Sequence, residues 1–536
     1  MNSIIFLIFT TTQALSNEEN SCGPMCTWTF EPSNKTLIFQ GRGIVNNYYY
    51  PRSHPWLKYK NRIEHVIFED GLVRVGNHML EDYTKLKTVK LPKRLMSIGK
   101  HAFYGCSSLE SISISDNLQW IEDHAFLGCT SLKSFEVDPA NVNFKTIDGV
   151  LYSGMIRTIH FYPAGKEGSS FKIPDTVERI GQECFHRNAN LKKITLPKSL
   201  EIIERDAFRE CVFESIFIPD STETIETMAF GGCKQLKTVK LSKSLKEIED
   251  MAFSGCSSLS KIVFPKNLKT IGKFSFQYCS SLKTVTIPAK TKEVGFGVFS
   301  NCDSLESITV EKKNEYYQSI NGVLYDKQAT LLIQFPTAKQ ISTINIPLTV
   351  TKIESYSFLN AKYLETISIH SNIVEIGNYA FQNCRQLKQV ELNEGLKTIR
   401  KYAFTECSSL KIIHLPESLT LLEEYSFMNC SQLEEVVIGE SIEMIQSQVF
   451  NNIHKEAIVV YTGIHQPTQC TTDIFDKERT YNHVVVRKEY AGQHFCGEEI
   501  EKMNYKEMMN KKQIGFKKNS DAGVESVESK QPDQEL

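Results

Sequence analysis

Cysteine is the residue type with the most chemistry open to it in this 536-residue chain, which carries 15 of them. Ten recur in one column, three residues after a Phe or its equivalent: Cys106, Cys129, Cys211, Cys233, Cys256, Cys279, Cys302, Cys384, Cys407 and Cys430. A structural zinc site needs thiolates or imidazoles paired at short spacing, such as Cys-x-x-Cys. No such pair occurs, so the column reads as buried, reduced thiols acting as small hydrophobes. Disulfides between neighbouring coils are the alternative in an oxidising compartment. Cys22, Cys26, Cys470 and Cys496 stand outside the column, near the two ends of the patterned region. Exposed ends of a repeat array need covering, so Cys22–Cys26 and Cys470–Cys496 disulfides are expected there, and Cys184, beside Phe185, reads as core. The 13 His are dispersed, and no Ser, His, Asp or Glu grouping has the spacing of a nucleophile with its base. No catalytic residue, metal or cofactor is therefore expected.

The element that positions the cysteines is a repeat of 23 residues. Phe103, Phe126, Phe185, Phe208, Phe230, Phe253, Phe276, Phe299, Phe358, Phe381, Phe404, Phe427 and Phe450 mark it, and Leu80 extends the column backwards. Most steps are 23 residues, one is 22 and two are 59. A fixed period of this size means a solenoid whose units bury their apolar faces against one another. Each unit opens with a Leu-x-x-Ile-x-Leu run such as Leu86, Val89 and Leu91, which alternation makes a short strand. A Pro such as Pro92, Pro197, Pro288 or Pro416 often ends that strand. The Ala-Phe segment is too short for a long helix and fits a 3₁₀ or short helical turn. The expected fold is a leucine-rich repeat solenoid, with short parallel strands on one face and turns on the other. About 14 coils at ~4.8 Å give a stack of roughly 65 Å.

The two long steps hold the same sequence in the same place, Ile147–Tyr152 and Ile320–Tyr325. Asp148-Gly149 and Asn321-Gly322 are type I′ turn dipeptides between apolar residues, so each insert, near 138–170 and 311–343, reads as a β-hairpin. Their common offset of 173 residues suggests duplication of a multi-repeat block.

These columns resemble the BspA-type, or Treponema pallidum-type, leucine-rich repeat family. Leu236–Cys256 and Leu410–Cys430 follow its consensus nearly throughout. The Gly-Val-Leu-Tyr inserts are similar to a habit of that family, as is the N-terminal segment with Trp28, Gly41, Gly43, Pro55 and Trp56. Asn188, Ala361 and Ile453 replace the column Cys. The resemblance covers roughly residues 22–465. It implies a secreted or cell-surface binding protein whose partners are extracellular matrix or cell-surface macromolecules.

Residues 1–16, with the apolar run Ile4–Phe9 and Ala14 and Ser16, read as a signal peptide. Residues 17–62 read as an N-terminal cap, 63–465 as the solenoid, 466–497 as a C-terminal cap, and 498–536 as a charged, disordered tail that begins with a candidate short helix. No other stretch approaches the ~20 apolar residues of a membrane span. A net charge of −2 lacks the basic excess that nucleic acid requires. Asn34 and Asn429 are N-glycosylation acceptors.

The outward strand positions form the candidate recognition face. Most are Ser and Thr, which suit a solvated strand. An apolar residue there is more telling, and Phe217, Val263 and Ile412 are such residues. The candidate binding residues are Lys193, Phe217, Lys240 and Lys261, from consecutive coils. A scaffold acting inside the cell is the competing reading if the first 16 residues are not a signal.

Overall fold

The structure is a computed structural model that describes residues 20–49, 54–475 and 483–504. The signal-peptide reading of 1–16 lies outside the described residues. The chain divides into two compact units, 1–245 and 246–536.

The first unit opens with a β-cap. Strands Ser21–Gly23, Cys26–Glu31 and Thr36–Gly41 are antiparallel, and the third pairs in parallel with His65–Phe68. Trp56 is fully buried on a short 3₁₀ helix, Pro55–Tyr59. Its indole N–H donates to the Met79 carbonyl at 3.2 Å, and its ring meets Trp28 and Phe39 edge-on. The aromatic N-terminal cluster thus caps the apolar end of the first coils.

Beyond the cap, most coils carry two strands. The front strands pair in parallel one repeat apart, as Ser134–Val137 with Ser111–Ile114. The Ile column forms a second parallel ladder of two-residue strands, as Trp120–Ile121 with Ser97–Ile98. The Ala-Phe segments are turns, built from i+3→i bonds such as Cys106 N–H to the Phe103 carbonyl. They alternate with bonds to the next coil, such as Phe103 N–H to the Ala125 carbonyl at 2.9 Å. The residue two before each Phe has a left-handed backbone: His101 φ 56°, His124 59°, Glu183 58°, Asp206 55° and Met228 55°. That conformation interrupts the turn and keeps it from becoming a continuous 3₁₀ helix.

Packing then follows the columns. Phe103 and Phe126 stack at 5.4 Å, and Phe185, Phe208 and Phe230 at 5.0 and 5.2 Å. The column thiols are buried and do more than fill space. The Cys129, Cys211 and Cys233 thiols donate to the carbonyls of Phe103, Phe185 and Phe208, one coil back. Burial pushes Cys129 and Cys233 up to about 12, so they remain thiols.

The second unit repeats this scheme. Its front ladder orders Thr343–Ile344, Thr366–Ile369, Gln389–Leu392, Ile412–His414, Glu435–Ile438, Ile458–Tyr461, His483–Arg487 and Glu498–Met503. Phe358, Phe381, Phe404, Phe427, Phe450 and Phe475 stack at 4.7 to 5.7 Å. The left-handed turn position here carries Tyr356, Tyr379, Tyr402 and Tyr425, whose rings stack at 4.7 to 4.9 Å.

Both inserts are hairpins. Phe144–Ile147 pairs antiparallel with Val150–Ser153, and Tyr317–Ile320 with Val323–Asp326. Asp148 and Gly149 have φ of 51° and 75°, and Asn321 and Gly322 51° and 80°, as a type I′ turn requires. A third strand, Thr158–Phe161 or Leu331–Gln334, folds back on the hairpin and starts a new back ladder. The inserts are therefore ladder-forming parts of the scaffold.

One reading is corrected. Residues 498–503 form a strand rather than the start of a short charged helix, and the rest of that helix and the disordered tail lie outside the described residues. Glu498–Met503 pairs in parallel with His483–Arg487. The edge of the front ladder offers unpaired backbone groups, whereas a short isolated helix is marginal in water. No helix among the described residues is long and apolar enough to cross a membrane.

Candidate functional site

The site lies at the one short repeat. The step from Phe208 to Phe230 has 22 residues, and Phe213 takes the Leu position of that coil, buried edge-on against Phe208 at 5.7 Å. The front strands on either side form separate pairs: Lys193–Thr195 with Ser170–Lys172, and Ser215–Phe217 with Thr238–Lys240. Where the ladder breaks, a groove of 770 Å³ opens in the first unit, lined by residues that include Lys192, Lys193, Thr195, Glu214, Ser215 and Phe217.

Phe217 points outward by strand alternation and is 64% exposed, in register with Lys240. Lys193 and Lys240 are exposed, and neither forms an ion pair among the described residues. Glu214, the one carboxylate lining the groove, is paired with Lys237 at 3.0 Å. The groove thus offers an apolar ring and the Lys193 ammonium, with Lys240 beside Phe217 on the neighbouring strand. It suits a ligand that is apolar at one point and anionic beside it.

The other expected residues fall elsewhere. Lys261 belongs to the second unit, exposed near Val263, which is 66% exposed. Ile412 is only half-buried. Val437, an outward position, is buried with Val460 and Val485 in a small apolar cluster. Cys22 is bonded to Cys26 and Cys470 to Cys496, with Cα separations of 5.0 and 5.4 Å. Asn34 is exposed on the turn between two cap strands, where its side-chain oxygen accepts from Thr36 N–H. Asn429 is half-buried and accepts from the Asn452 amide at 2.8 Å.

A second grouping was missed in the sequence because the His residues looked dispersed. His78, His101 and His124 are spaced by the repeat itself. All three occupy the left-handed turn position, and their rings stack at 4.7 Å in each step. Burial, aided by His124, pushes the His101 imidazole down to about 4. The signal that finds them is a 23-residue offset rather than short spacing.

The family model for the BspA type leucine rich repeat region matches residues 57–162, 155–222, 201–321 and 334–456, in six copies. The chain belongs to the BspA-type leucine-rich repeat family. Among solved structures, the pneumococcal vaccine antigen PcpA is 22% identical, over 74% of this chain and 89% of its own, with a TM-score of 0.49. A leucine-rich cell surface protein from Faecalibacterium prausnitzii is 22% identical, over 81% and 93%, with a TM-score of 0.30. A leucine-rich repeat protein from Bacteroides ovatus is 20% identical, over 90% and 98%, with a TM-score of 0.35. No curated protein matches the chain significantly.

Proposed function

We propose that this is a non-enzymatic binding protein, secreted or held at the cell surface, that adheres to extracellular matrix or to other cells. Its contact is the outward strand face of the first unit, centred on the groove beside Phe217. The observation that carries the reading is that ring, 64% exposed at a break in the ladder. A large apolar side chain in water adds little to folding, whereas burying it against a partner returns about 1.5–3 kcal/mol. Lys193 and Lys240 add unpaired positive charge at its sides, which selects a partner segment that is acidic around an apolar residue. Membership of a repeat family built as binding scaffolds supports the same direction.

The test is solid-phase binding of the full chain to immobilised extracellular matrix proteins, beside a variant carrying Lys193→Ser, Phe217→Ser and Lys240→Ser. Binding that the variant loses supports the reading. Equal binding by both moves the contact to the caps or inserts.

The competing reading is a scaffold inside the cell, to which the 11 buried free cysteines are neutral and the two disulfides are opposed, since such bonds are rare in a reducing compartment. A glycan on the exposed Asn34, seen as a mass shift on enzymatic deglycosylation, would exclude that alternative.

A further inference from the structure

We propose that His78, Glu81 and His101 form a binding site for a divalent transition metal, with Zn²⁺ the ion the donor set fits best. The repeat supplies the first two donors. His78 and His101 occupy the same position in successive coils, and their imidazoles stack with centroids 4.7 Å apart. Glu81, three residues after His78, supplies the third. Its carboxylate reaches His78 Nδ1 at 2.6 Å and His101 Nδ1 at 3.8 Å. One ligand atom from each residue lies within 4.8 Å of the other two.

Tetrahedral zinc with bonds of about 2.0–2.1 Å needs donors roughly 3.3 Å apart. One Glu81 oxygen lies 2.6 Å from His78 Nδ1 and the other 3.8 Å from His101 Nδ1, and with all three ligand atoms within 4.8 Å of one another the side chains have to draw together to reach that spacing. The His101 Nδ1 atom is buried and has no hydrogen-bond partner among the described residues, a costly state for a polar atom that an ion would relieve. No Lys or Arg among the described residues forms an ion pair with Glu81, leaving its charge available to a cation. The neighbouring His124 is engaged differently: its Nε2 pairs with Glu183. Its ring stacks on the far face of His101 at 4.7 Å, and Tyr104 lies 5.0 Å from the same ring. These contacts hold the His101 imidazole in place before an ion arrives.

Coordination through His78 Nδ1 requires its lone pair, so in the metal-bound state the imidazole carries its proton on Nε2. Imidazole, imidazole and carboxylate are the donors that favour zinc over calcium or magnesium. Three protein ligands leave a fourth position for water.

The experiment is titration of the purified, untagged full chain with Zn²⁺ by calorimetry, and with Co²⁺ to read the visible bands of tetrahedral coordination. One equivalent is expected to bind. His101→Asn, His78→Asn and Glu81→Gln are each expected to weaken binding by about 100-fold or more, beyond the roughly 10–100-fold attached to losing a group hydrogen-bonded behind a ligand. His124→Asn is expected to weaken it less than any of these. Circular dichroism and thermal melting of every variant separate loss of the site from loss of the fold, and Glu81→Gln keeps the side-chain shape. Absence of a bound equivalent in the folded wild-type chain would overturn the proposal. So would affinity unchanged by His78→Asn and His101→Asn, which would put the ion elsewhere.

Discussion

A few side chains do repeated work that their type alone does not reveal. Asn141 and Asn314, at matching places before the two hairpins, are both buried. The Asn141 amide donates to the Ser115 and Leu118 carbonyls, and its oxygen accepts from the Asn143 and Phe144 N–H groups. Asn314 does the same with Pro288, Thr291, Tyr316 and Tyr317. Asn141→Ala leaves buried backbone groups unpaired and is expected to cost about 3 kcal/mol, read as a lower thermal midpoint, with Asn314→Ala costing a similar amount. A fall smaller than that of an exposed Ser→Ala change would contradict this role. The thiols allow a second check at the same scale. Native protein at pH 8 is expected to resist alkylation, denatured protein to take up 11 labels, and denatured and reduced protein to take up all 15. Rapid labelling of the native chain would refute the burial of the column. The column was visible in the sequence, but the hydrogen bonds from its thiols to carbonyls one coil back, Leu80 for Cys106 and a Phe for Cys129, Cys211 and Cys233, were not, since those carbonyls belong to another coil.

At the level of elements, the strands and hairpins could be read from alternation and from two dipeptides. Asp148-Gly149 and Asn321-Gly322 name their own turn because few other residues take positive φ at both central positions. Gly149 is constrained twice: its φ is 75°, and an added Cβ would lie 2.8 Å from the Ser134 Cβ. Gly149→Ala is therefore expected to cost about 1–3 kcal/mol, measured by thermal or denaturant unfolding, and an unchanged midpoint would count against the turn as described. The turns were harder to read. The left-handed residue is His, Glu, Asp, Met, Phe, Tyr or Gln in every coil but that of Gly297, and none of these announces the conformation the way Gly does; cross-coil hydrogen bonds accompany it. The second ladder was hidden for a related reason, because two-residue strands carry no alternation to detect. In Glu498–Met503 local composition favoured a helix, and the open edge of the neighbouring strand decided otherwise.

For the molecule as a whole, the buried thiols tie stability to pH. Cys129, Cys233, Cys279, Cys384 and Cys430 are pushed by burial up to about 12. An unfolded thiol ionises near about 8.5. The native state therefore keeps protons that the unfolded state loses, so this contribution is complete below about pH 8.5 and declines as pH rises toward about 12. Melting temperatures are expected to be flat from pH 6 to 8 and to fall steadily above ~9; a maximum at pH 10 would contradict the assignment. Fold and family were legible because a 23-residue period repeats along most of the chain. The groove was legible only in part. Phe217 and Lys193 stood out as outward residues, but the break in the ladder beside them was not visible, because breaks in the front ladder also fall between repeats of ordinary length. The most direct test of the account is the dissociation constant of the full chain for the matrix protein it binds best, compared with Phe217→Ser and with Val263→Ser, an equally exposed apolar position in the second unit. The account predicts at least a ~10-fold loss for Phe217→Ser, about the ~1.4 kcal/mol that partial burial of the ring supplies, and no change for Val263→Ser. Equal affinities for all three proteins, or binding to no matrix protein at all, would contradict it.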